Sequence, residues 1–272
     1  MDALSLVDGW PVDHVAVAVV LPDDSVSIHG DTSRSFRLAS ISKMFVGWTA
    51  LVAHEEATLR LDDAAGQPGC TVRHLLAHAG GYPFDGTEPL TAPGRRRIYS
   101  NTGIELAAQR IAGAAVMPFA EYQRQALFEP LGMTTTSLTG SPAHAVWSCV
   151  DDLVRFVQEL RSPRLLGPDA AAAFSTVQYP GLAGLVPGIG RYDDCVWGLA
   201  TEIRGDKQPH WTGSLNSTAT FGHFGGAGTF LWVDPVADVA CIALTDRPFD
   251  EWSAAALRYW TALSDAVLRE SR

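Results

Sequence analysis

Ser40 and Lys43 are the residues whose types and spacing most directly suggest chemistry. They begin and end the stretch Ser40-Ile41-Ser42-Lys43. On a helix, side chains three positions apart lie on one face, about one turn from each other. A lysine buried there loses its preference for the charged form and can accept the proton of the serine hydroxyl. The pair therefore predicts a serine nucleophile with its own base, acting through a covalent acyl-serine ester.

The neighbourhood of this pair is apolar, and lysine is rare in the chain. Leu38-Ala39 precede the pair, Met44-Phe45 follow it, and the only other lysine is Lys207. This setting favours a buried, functional lysine. The alternative is a solvated lysine on an amphipathic helix, because a serine and a lysine at this spacing also arise by chance.

A second segment, Tyr99-Ser100-Asn101, offers groups that act on such a serine. A phenol near a lysine ammonium loses its proton more easily and can relay protons to a leaving group, which is the role we expect for Tyr99. An amide both donates and accepts hydrogen bonds, so Asn101 can orient a lysine and hold a substrate carbonyl. Alternatively, Ser100 or Asn101 caps a helix that begins near Thr102.

A third segment is His223-Phe224-Gly225-Gly226. Glycines on a strand allow the backbone of a substrate to come close. The alternative is a glycine-rich bulge beside a partly buried histidine.

The elements that must position these segments follow an α+β pattern. Runs of β-branched residues at 15–20 and 25–29, separated by a turn at Pro22, predict a β-hairpin. Helical spacing of apolar residues from Met44 onward places Ser40 near a helix N-terminus, where the dipole favours developing negative charge. Further predicted helices are 104–113, 119–128, 150–161 and 250–269; further predicted strands are 196–203, about 218–223, 227–233 and 238–245; residues 180–190 are predicted to be a Gly/Pro-rich connector.

Strands at both ends of the sequence predict an antiparallel sheet built from the N- and C-terminal segments, with flanking helices and a helical lobe. We expect a single domain over residues 1–272. Its sheet lobe would hold residues of about 10–60 and 190–272, its helical lobe about 61–189, and the substrate would bind between the lobes.

Composition narrows the function classes. The chain has 272 residues, is 47% hydrophobic and 18% charged, and carries a formal net charge of -10, which argues against nucleic-acid binding. No lysine or arginine precedes Arg34, and the apolar run from Val15 to Leu21 is too short to cross a membrane. We therefore expect a cytoplasmic protein with no membrane partner. The four widely spaced cysteines predict free, buried thiols.

Taken in order, these motifs resemble the serine β-lactamase and penicillin-binding-protein-like family, in particular its class C-like esterase and D,D-peptidase branch. The resemblance covers nearly the whole chain. The segments that carry it are residues 36–43, 61–63, 72–81, 99–101, 129–133 and 222–225. The resemblance implies a β-lactamase/transpeptidase-like fold.

The resemblance also implies residue roles. Ser40 Oγ would attack a carbonyl while Lys43 takes its proton, with Tyr99 as partner base. The oxyanion would bind the backbone N–H groups of Ser40 and Gly226. Asn101 would orient Lys43 and hold the acyl side of the substrate before water releases the product. Further substrate contacts are expected from His223, Phe224 and Gly225. No metal and no cofactor is implied, and the partner would be a small-molecule ester, amide or lactam.

The third motif departs from the Lys-Thr-Gly of many β-lactamases, in which a cation and a hydroxyl bind the carboxylate of the drug. Histidine is at best a partial cation near neutral pH, and Phe224 has no hydroxyl. We therefore expect weak binding of β-lactam carboxylates, a more apolar acyl site, and hydrolysis of esters or amides. A D-amino-acid peptidase, a true β-lactamase and a non-catalytic ligand-binding protein remain alternatives, and the oligomeric state stays open.

Two other sequence features allow functional hypotheses. One hypothesis is that an arginine of Arg95-Arg96-Arg97 lies at the mouth of the cleft and selects an anionic substrate group; the alternative is a solvated loop. His74 and His78 have the spacing of zinc ligands on a helix, but no glutamate between them can act as base. A metal-dependent hydrolase is therefore the weakest alternative.

Overall fold

The computed structural model describes residues 1–271. The strands are β1 (Val15–Val20), β2 (Val26–Gly30), β3 (Phe36–Arg37), β4 (Ser137–Leu138), β5 (Val146–Ser148), β6 (Gly184–Val186), β7 (Gly190–Tyr192), β8 (Glu202–Ile203), β9 (Phe221–Gly225), β10 (Thr229–Asp234) and β11 (Val239–Thr245). The α-helices are α1 (Ser42–Glu55), α2 (Val72–Leu76), α3 (Asn101–Ala115), α4 (Phe119–Gln123), α5 (Val150–Arg161), α6 (Pro168–Ser175) and α7 (Ser253–Glu270).

The central sheet joins the two ends of the chain. Its order is β2-β1-β11-β10-β9-β8, and every neighbouring pair is antiparallel. The N-terminal hairpin thus lies directly beside the last strand, in the register that pairs Val15 with Thr245. The predicted α+β architecture, with one antiparallel sheet built from both terminal segments, is confirmed.

The two faces of this sheet are buried against different helices, because side chains alternate along each strand. On β1, Ala16 and Ala18 belong to the core cluster that includes α1, α3 and α5. Val17 and Val19 belong to a second cluster that includes α7 and the N-terminal 3-10 segment. The sheet is therefore the middle layer of three, and α1 lies wholly within the first outer layer.

The chain reaches α1 through a tight turn that carries Ser40. After β3, residues Ala39–Ile41 form one 3-10 turn that continues into α1. Ala39 has φ of 47°, a left-handed conformation that costs a non-glycine residue about 1–2 kcal/mol. The turn redirects the chain from the small β3-β5-β4 sheet into the buried helix, and it presents Ser40 at that corner.

Several predicted elements need correction. The strand predicted at 196–203 is wrong over most of its length, since only Glu202–Ile203 is a strand. The connector predicted at 180–190 is also wrong, because β6 and β7 form a hairpin there. Three-residue strands are too short to show an alternating pattern. The helix at 150–161 has the predicted bounds, whereas the one at 119–128 ends as a π-turn from Arg124.

The division into two lobes near residues 60 and 190 stays a prediction. Residues 61–189 contain α2 to α6, but they also contain β4, β5 and β6. Within residues 1–271, no helix has the length and apolarity needed to cross a membrane.

Candidate active site

Lys43 is fully buried in the first turn of α1 and has three oxygen neighbours. Its Nζ lies 3.1 Å from Ser40 Oγ, 2.7 Å from Asn101 Oδ1 and 2.8 Å from the carbonyl oxygen of Ala143. None of these three is a carboxylate. The structure therefore brings together the serine, the lysine and the asparagine that the sequence singled out.

The charge state of Lys43 follows from its burial. Desolvation lowers the pKa of Lys43 to about 7, although the carboxylates of Asp85 and Glu105 oppose the shift. An ordinary lysine would stay protonated at neutral pH, whereas this one is neutral in a large fraction of molecules. The neutral amine is the form that can act as a base.

The hydrogen-bond partners of Lys43 also orient its lone pair. A neutral amine has two N–H donors, and the carbonyls of Asn101 and Ala143 can only accept. When both donors are used there, the remaining lone pair faces the third neighbour, the hydroxyl of Ser40. The arrangement can therefore remove the proton from Ser40 Oγ.

Asn101 occupies the start of α3 with both ends of its amide engaged. Its Oδ1 accepts from Lys43, and its Nδ2 donates to Asp85 Oδ1 at 3.1 Å. Ser100 caps the same helix, since its Oγ accepts from the Gly103 N–H at 2.9 Å. The segment therefore has both of the roles suggested for it. Ser100 caps α3, and Asn101, the first residue of α3, holds Lys43.

Tyr99 and His223 form a buried pair beside the serine and the lysine, and Lys43 Nζ lies 4.8 Å from the centroid of the Tyr99 ring. The hydroxyl of Tyr99 lies 3.3 Å from Nε2 of His223, and Nδ1 of His223 lies 2.6 Å from the carbonyl oxygen of Phe224. Because a carbonyl only accepts, Nδ1 carries the hydrogen. Nε2 of the neutral ring is then the acceptor, and Tyr99 donates to it.

Burial, together with the charge of Lys43, lowers the pKa of His223 to about 3. His223 is therefore neutral at physiological pH and does not supply even a partial positive charge there. Burial raises the pKa of Tyr99 far above its usual value, with partial relief from a hydrogen bond with Ser40. The expectation that lysine would ease loss of the Tyr99 proton is not met in this resting site, since desolvation is the largest influence on the pKa of Tyr99 and raises it.

Position 225 has no room for a side chain, because the backbone of the turn that carries Ser40 lies close to it. A Cβ at this position would lie 2.2 Å from the carbonyl oxygen of Leu38 and 3.2 Å from Cβ of Ala39. Thr229 Oγ1 donates to the same Leu38 carbonyl at 2.9 Å. The end of β9 is thereby fastened against the turn that carries Ser40, a contact made by the protein backbone where the sequence had suggested a substrate.

A cavity of about 360 Å³, here called the serine cavity, opens at this point. Five predicted residues are among its lining: Ser40, Tyr99, His223, Phe224 and Gly226. Three others are not: Lys43 and Gly225 lie behind it, and Asn101 reaches it only through Lys43.

Several residues that line the serine cavity were not predicted from the sequence. They are Phe84, Val186, Pro187, Gly188, Trp197, Phe249, Asp250 and Ser253. They come from segments far apart in the chain and carry no motif, so no sequence signal identified them. Most of them are apolar, so the wall of the serine cavity is mostly apolar, although Asp250 and Ser253 also line it.

The three consecutive arginines have three different positions. Arg97 is buried, and its guanidinium donates to the carbonyls of Ala77, Cys195, Gln178 and Tyr179. Arg95 is exposed. Arg96 is exposed as well and lines a second cavity beside the serine cavity.

His74 and His78 do not face a common point. His74 lies on α2, binds Thr71 Oγ1 through Nδ1 and stacks on the ring of Tyr179. His78 follows the helix with φ of 55°, and its Nδ1 accepts from the Ser100 N–H at 3.2 Å. No group of metal-ligating side chains occurs in the part of the chain that the structure describes. The four cysteines are free and buried, as predicted.

The comparisons with known proteins agree with this fold. A model of the Beta-lactamase family matches residues 14–266. A Mycobacterium bovis structure described as a beta-lactamase is 47% identical, with a TM-score of 0.95 and 99% of each chain covered. EstCE1, described as a hydrolase with promiscuous acyltransferase activity, shares the fold at 18% identity, with a TM-score of 0.76 over 98% of this chain and 96% of that one.

Two curated relatives are longer proteins. Penicillin-binding protein 4* of Bacillus subtilis (strain 168) is 29% identical in the aligned region, with 39% of this chain and 31% of that protein covered. The putative D-alanyl-D-alanine carboxypeptidase of Escherichia coli (strain K12) is 23% identical, with 69% of this chain and 59% of that protein covered. The matched region is therefore less than two thirds of the length of either relative.

Proposed function

The chain belongs to the Beta-lactamase family, and we propose that it is a serine hydrolase that cleaves ester or amide bonds of small substrates through an acyl-enzyme. One observation carries the proposal: a fully buried lysine with no carboxylate partner lies 3.1 Å from Ser40 Oγ. A pure ligand-binding protein has no physical need for such a group. The shared fold of a hydrolase, EstCE1, is consistent with the proposal.

The proposed reaction begins with neutral Lys43. Its lone pair takes the proton of Ser40 as Oγ attacks the carbonyl carbon of the substrate. The new ammonium keeps the Asn101 and Ala143 oxygens as acceptors. The tetrahedral oxyanion receives hydrogen bonds from the backbone N–H groups of Ser40 and Gly226, each worth about 3–4 kcal/mol in comparable sites.

Collapse of the intermediate requires a proton for the leaving group. Tyr99 is the proposed donor route, because its hydroxyl lies between Ser40 and His223 and stays protonated. The proton on Lys43 can replace it, which returns the amine to its neutral form. Water then attacks the acyl-serine with the same groups acting in reverse, and the product acid leaves.

The lining of the serine cavity supports uncharged, apolar groups near the scissile bond. His223 is neutral, Phe224 supplies no hydroxyl, and Lys43 lies behind the serine. No cation in the described lining of this cavity is placed to bind a carboxylate. Esters that carry no charge next to the scissile bond are therefore the proposed substrates, in preference to lactams whose carboxylate lies there.

The test is covalent labelling by a fluorophosphonate, followed by the intact mass of the protein. We expect one adduct on the native chain and none on a folded Ser40→Ala variant. An adduct that persists in Ser40→Ala places the nucleophile elsewhere. No adduct on native protein, with no turnover of para-nitrophenyl acetate, supports the ligand-binding alternative.

A D-amino-acid peptidase is the second candidate, because a curated relative is described as a putative D-alanyl-D-alanine carboxypeptidase. The two activities differ in what must bind at the end of the substrate: a C-terminal carboxylate next to the scissile bond needs a cation there. We expect kcat/KM for a neutral ester to exceed that for a D-alanyl-D-alanine peptide. The reverse order favours the peptidase.

A further inference from the structure

A second, larger cavity continues from the serine cavity. Its volume is about 740 Å³, and it is here called the distal cavity. Phe84, Tyr99 and Pro187 line both cavities, so the distal cavity lies directly beside the space at Ser40.

Most of the residues that line the distal cavity are apolar. Phe84 is 50% exposed, Leu90 64% and Leu185 39%, although each lines a concave surface. Large apolar side chains that face solvent within a cavity are typical of a ligand site. This wall suits a hydrocarbon or aromatic portion of a substrate.

Two arginines, Arg96 and Arg191, also line the distal cavity. Arg96 precedes the Arg97–Tyr99 segment, and Arg191 belongs to the β6–β7 hairpin that covers both cavities. Within residues 1–271, neither guanidinium has a carboxylate within ion-pair distance. Asp193 is the only carboxylate in the described lining of this cavity.

The charges of the distal cavity leave a net positive value. Arg96 and Arg191 outnumber Asp193 by one, since Arg97 is committed to backbone carbonyls in the interior. This local excess occurs on a chain whose formal net charge is -10. A single excess positive charge suits a monoanion, and a guanidinium binds a carboxylate well.

We propose that the distal cavity is the subsite for the far end of the substrate, and that this end is an apolar chain terminating in a carboxylate bound by Arg96 and Arg191. The substrate class is then an ester or amide with its anionic group remote from the scissile bond. This inference rests on the proposed function, and it differs from β-lactam recognition, where the carboxylate lies next to the reacting carbonyl.

The test compares para-nitrophenyl hexanoate with mono-para-nitrophenyl adipate, which carries a terminal carboxylate on the acyl side. A second pair places the carboxylate on the alcohol side: hexyl acetate and omega-acetoxyhexanoate. In at least one pair we expect the anionic ester to be preferred at low salt. The pair that shows the preference identifies which half of the substrate occupies the distal cavity.

Variants assign the preference to residues. Arg96→Gln and Arg191→Gln should each raise KM for the anionic ester about threefold, and together about tenfold, as exposed ion pairs allow. The neutral ester should keep its KM. Asp193→Asn should lower KM for the anionic ester, and Arg95→Gln, a matched exposed arginine outside the cavity, should leave both unchanged.

Salt provides a further check, because the Debye length is only about 3 Å at 1 M. The preference for the anionic ester should therefore shrink at that salt concentration. Equal kinetics of both pairs in the native protein, or an effect of Arg95→Gln as large as that of Arg96→Gln, overturns the inference.

Binding to the Ser40→Ala protein separates this inference from the proposed function. Calorimetry of the intact esters should show tighter binding of the anionic member, and this difference should disappear with Arg96→Gln and Arg191→Gln. If that holds while the native protein hydrolyses nothing, the subsite stands and the hydrolase proposal fails. If neutral esters are hydrolysed through Ser40 while charge has no effect on binding, only the subsite fails.

Discussion

The two lysines of this chain are equally buried, but their partners are opposite in kind. Lys43 is 0% exposed and Lys207 2% exposed. Nζ of Lys207 lies 3.1 Å from Glu202 Oε1, and it also donates to the carbonyls of Val196 and Ile203. Nζ of Lys43 meets a hydroxyl, an amide oxygen and a carbonyl, with no carboxylate in contact.

The carboxylate at Lys207 is part of a closed polar cluster. Glu202 accepts from Trp211 Nε1 at 2.7 Å and lies 3.3 Å from Nε2 of His210. Burial alone would raise the pKa of Glu202, yet Lys207 and His210 outweigh it and hold this pKa below its usual range. The salt bridge between Lys207 and Glu202 fastens β8 to the loop after it.

The difference between the two lysines separates a base from a structural ion. A buried charge is tolerated when it is paired, and an unpaired amine gives up its proton instead. Burial alone therefore does not identify a functional lysine. The missing counter-charge does, and the variants below either remove one lysine or exchange the partners.

Replacement of Lys43 by methionine should have the largest effect on activity. We expect kcat/KM for a neutral ester to fall about 10²–10⁴-fold, the usual loss when a general base is removed. Steady-state kinetics on the native and Lys43→Met proteins measures it, with Lys207→Met as the control that retains the base. A Lys43→Met enzyme that stays within tenfold of native activity excludes Lys43 as the base.

The same variant should keep its stability at pH 7. Asn101 and Ala143 lose a donor, which costs about 1–3 kcal/mol each, but the desolvated amine is also removed, at about 1.4 kcal/mol per unit of pKa shift. Because the pKa of Lys43 is about 7 when folded and 10.5 ordinarily, the native protein gains stability as pH rises between these values. Lys43→Met lacks that gain, and urea unfolding at pH 7 and pH 10 should show it.

Replacement of Lys207 should have the opposite profile. Lys207→Met leaves the carboxylate of Glu202 buried without its main partner, which costs about 3–5 kcal/mol in comparable pairs. The remaining folded protein should keep native kcat. Adding Glu202→Gln removes the unpaired charge while an acceptor for Trp211 remains, so the double variant should recover stability. Urea midpoints that are equal for the single and double variants contradict this account.

The sequence predicts a function for Lys43 but none for Lys207. Lys43 was predicted because a serine stands three residues before it on a recognisable helix. The ion pair of Lys207 was not predictable, because a loop brings Glu202 near it and no local sequence pattern specifies the path of that loop. The central sheet was predictable because its long strands are continuous runs of apolar, often β-branched residues.

The cavities were the least predictable part of the molecule. Phe84, Trp197 and Phe249 belong to loops and turns with no shared spacing, and the tertiary fold alone brings them to Ser40. The β6–β7 hairpin was not predicted, because its glycines were taken as the sign of a connector. Gly184 is required for packing instead, since a Cβ there would lie 2.5 Å from the Arg97 carbonyl oxygen. Such a close approach has no local sequence signal other than the glycine itself.

A carboxylate supplied to Lys43 should make it resemble Lys207. Asn101→Asp places a negative charge at the atom now 2.7 Å from Nζ, which should raise the pKa of Lys43 by about 1–3 units. The acid limb of the pH profile of kcat/KM, expected near pH 7 in the native enzyme, should move upward by that amount.

Asp85 provides the control for this shift. In Asn101→Asp combined with Asp85→Asn, the amide and the carboxylate exchange positions, so the two carboxylates no longer repel each other, and the upward shift should persist. Asp85→Asn alone should move the limb downward, because Asp85 raises the pKa of Lys43 in the native site. An acid limb that does not respond to any of these changes belongs to a group other than Lys43.

Of all these variants, Lys207→Arg should change activity and stability least, whereas Lys43→Arg should lose most of its activity. A guanidinium is always protonated, so Lys207→Arg can keep the ion pair with Glu202 and should cost only the about 1–3 kcal/mol of added bulk in a packed site. Its activity should stay native. Lys43→Arg keeps the positive charge but supplies no lone pair to Ser40, and it should be as inactive as Lys43→Met. Activity and urea midpoints of the two arginine variants, measured side by side, check this contrast. Activity retained in Lys43→Arg would mean that position 43 needs only a cation, and the distinction between the two lysines would then lie elsewhere.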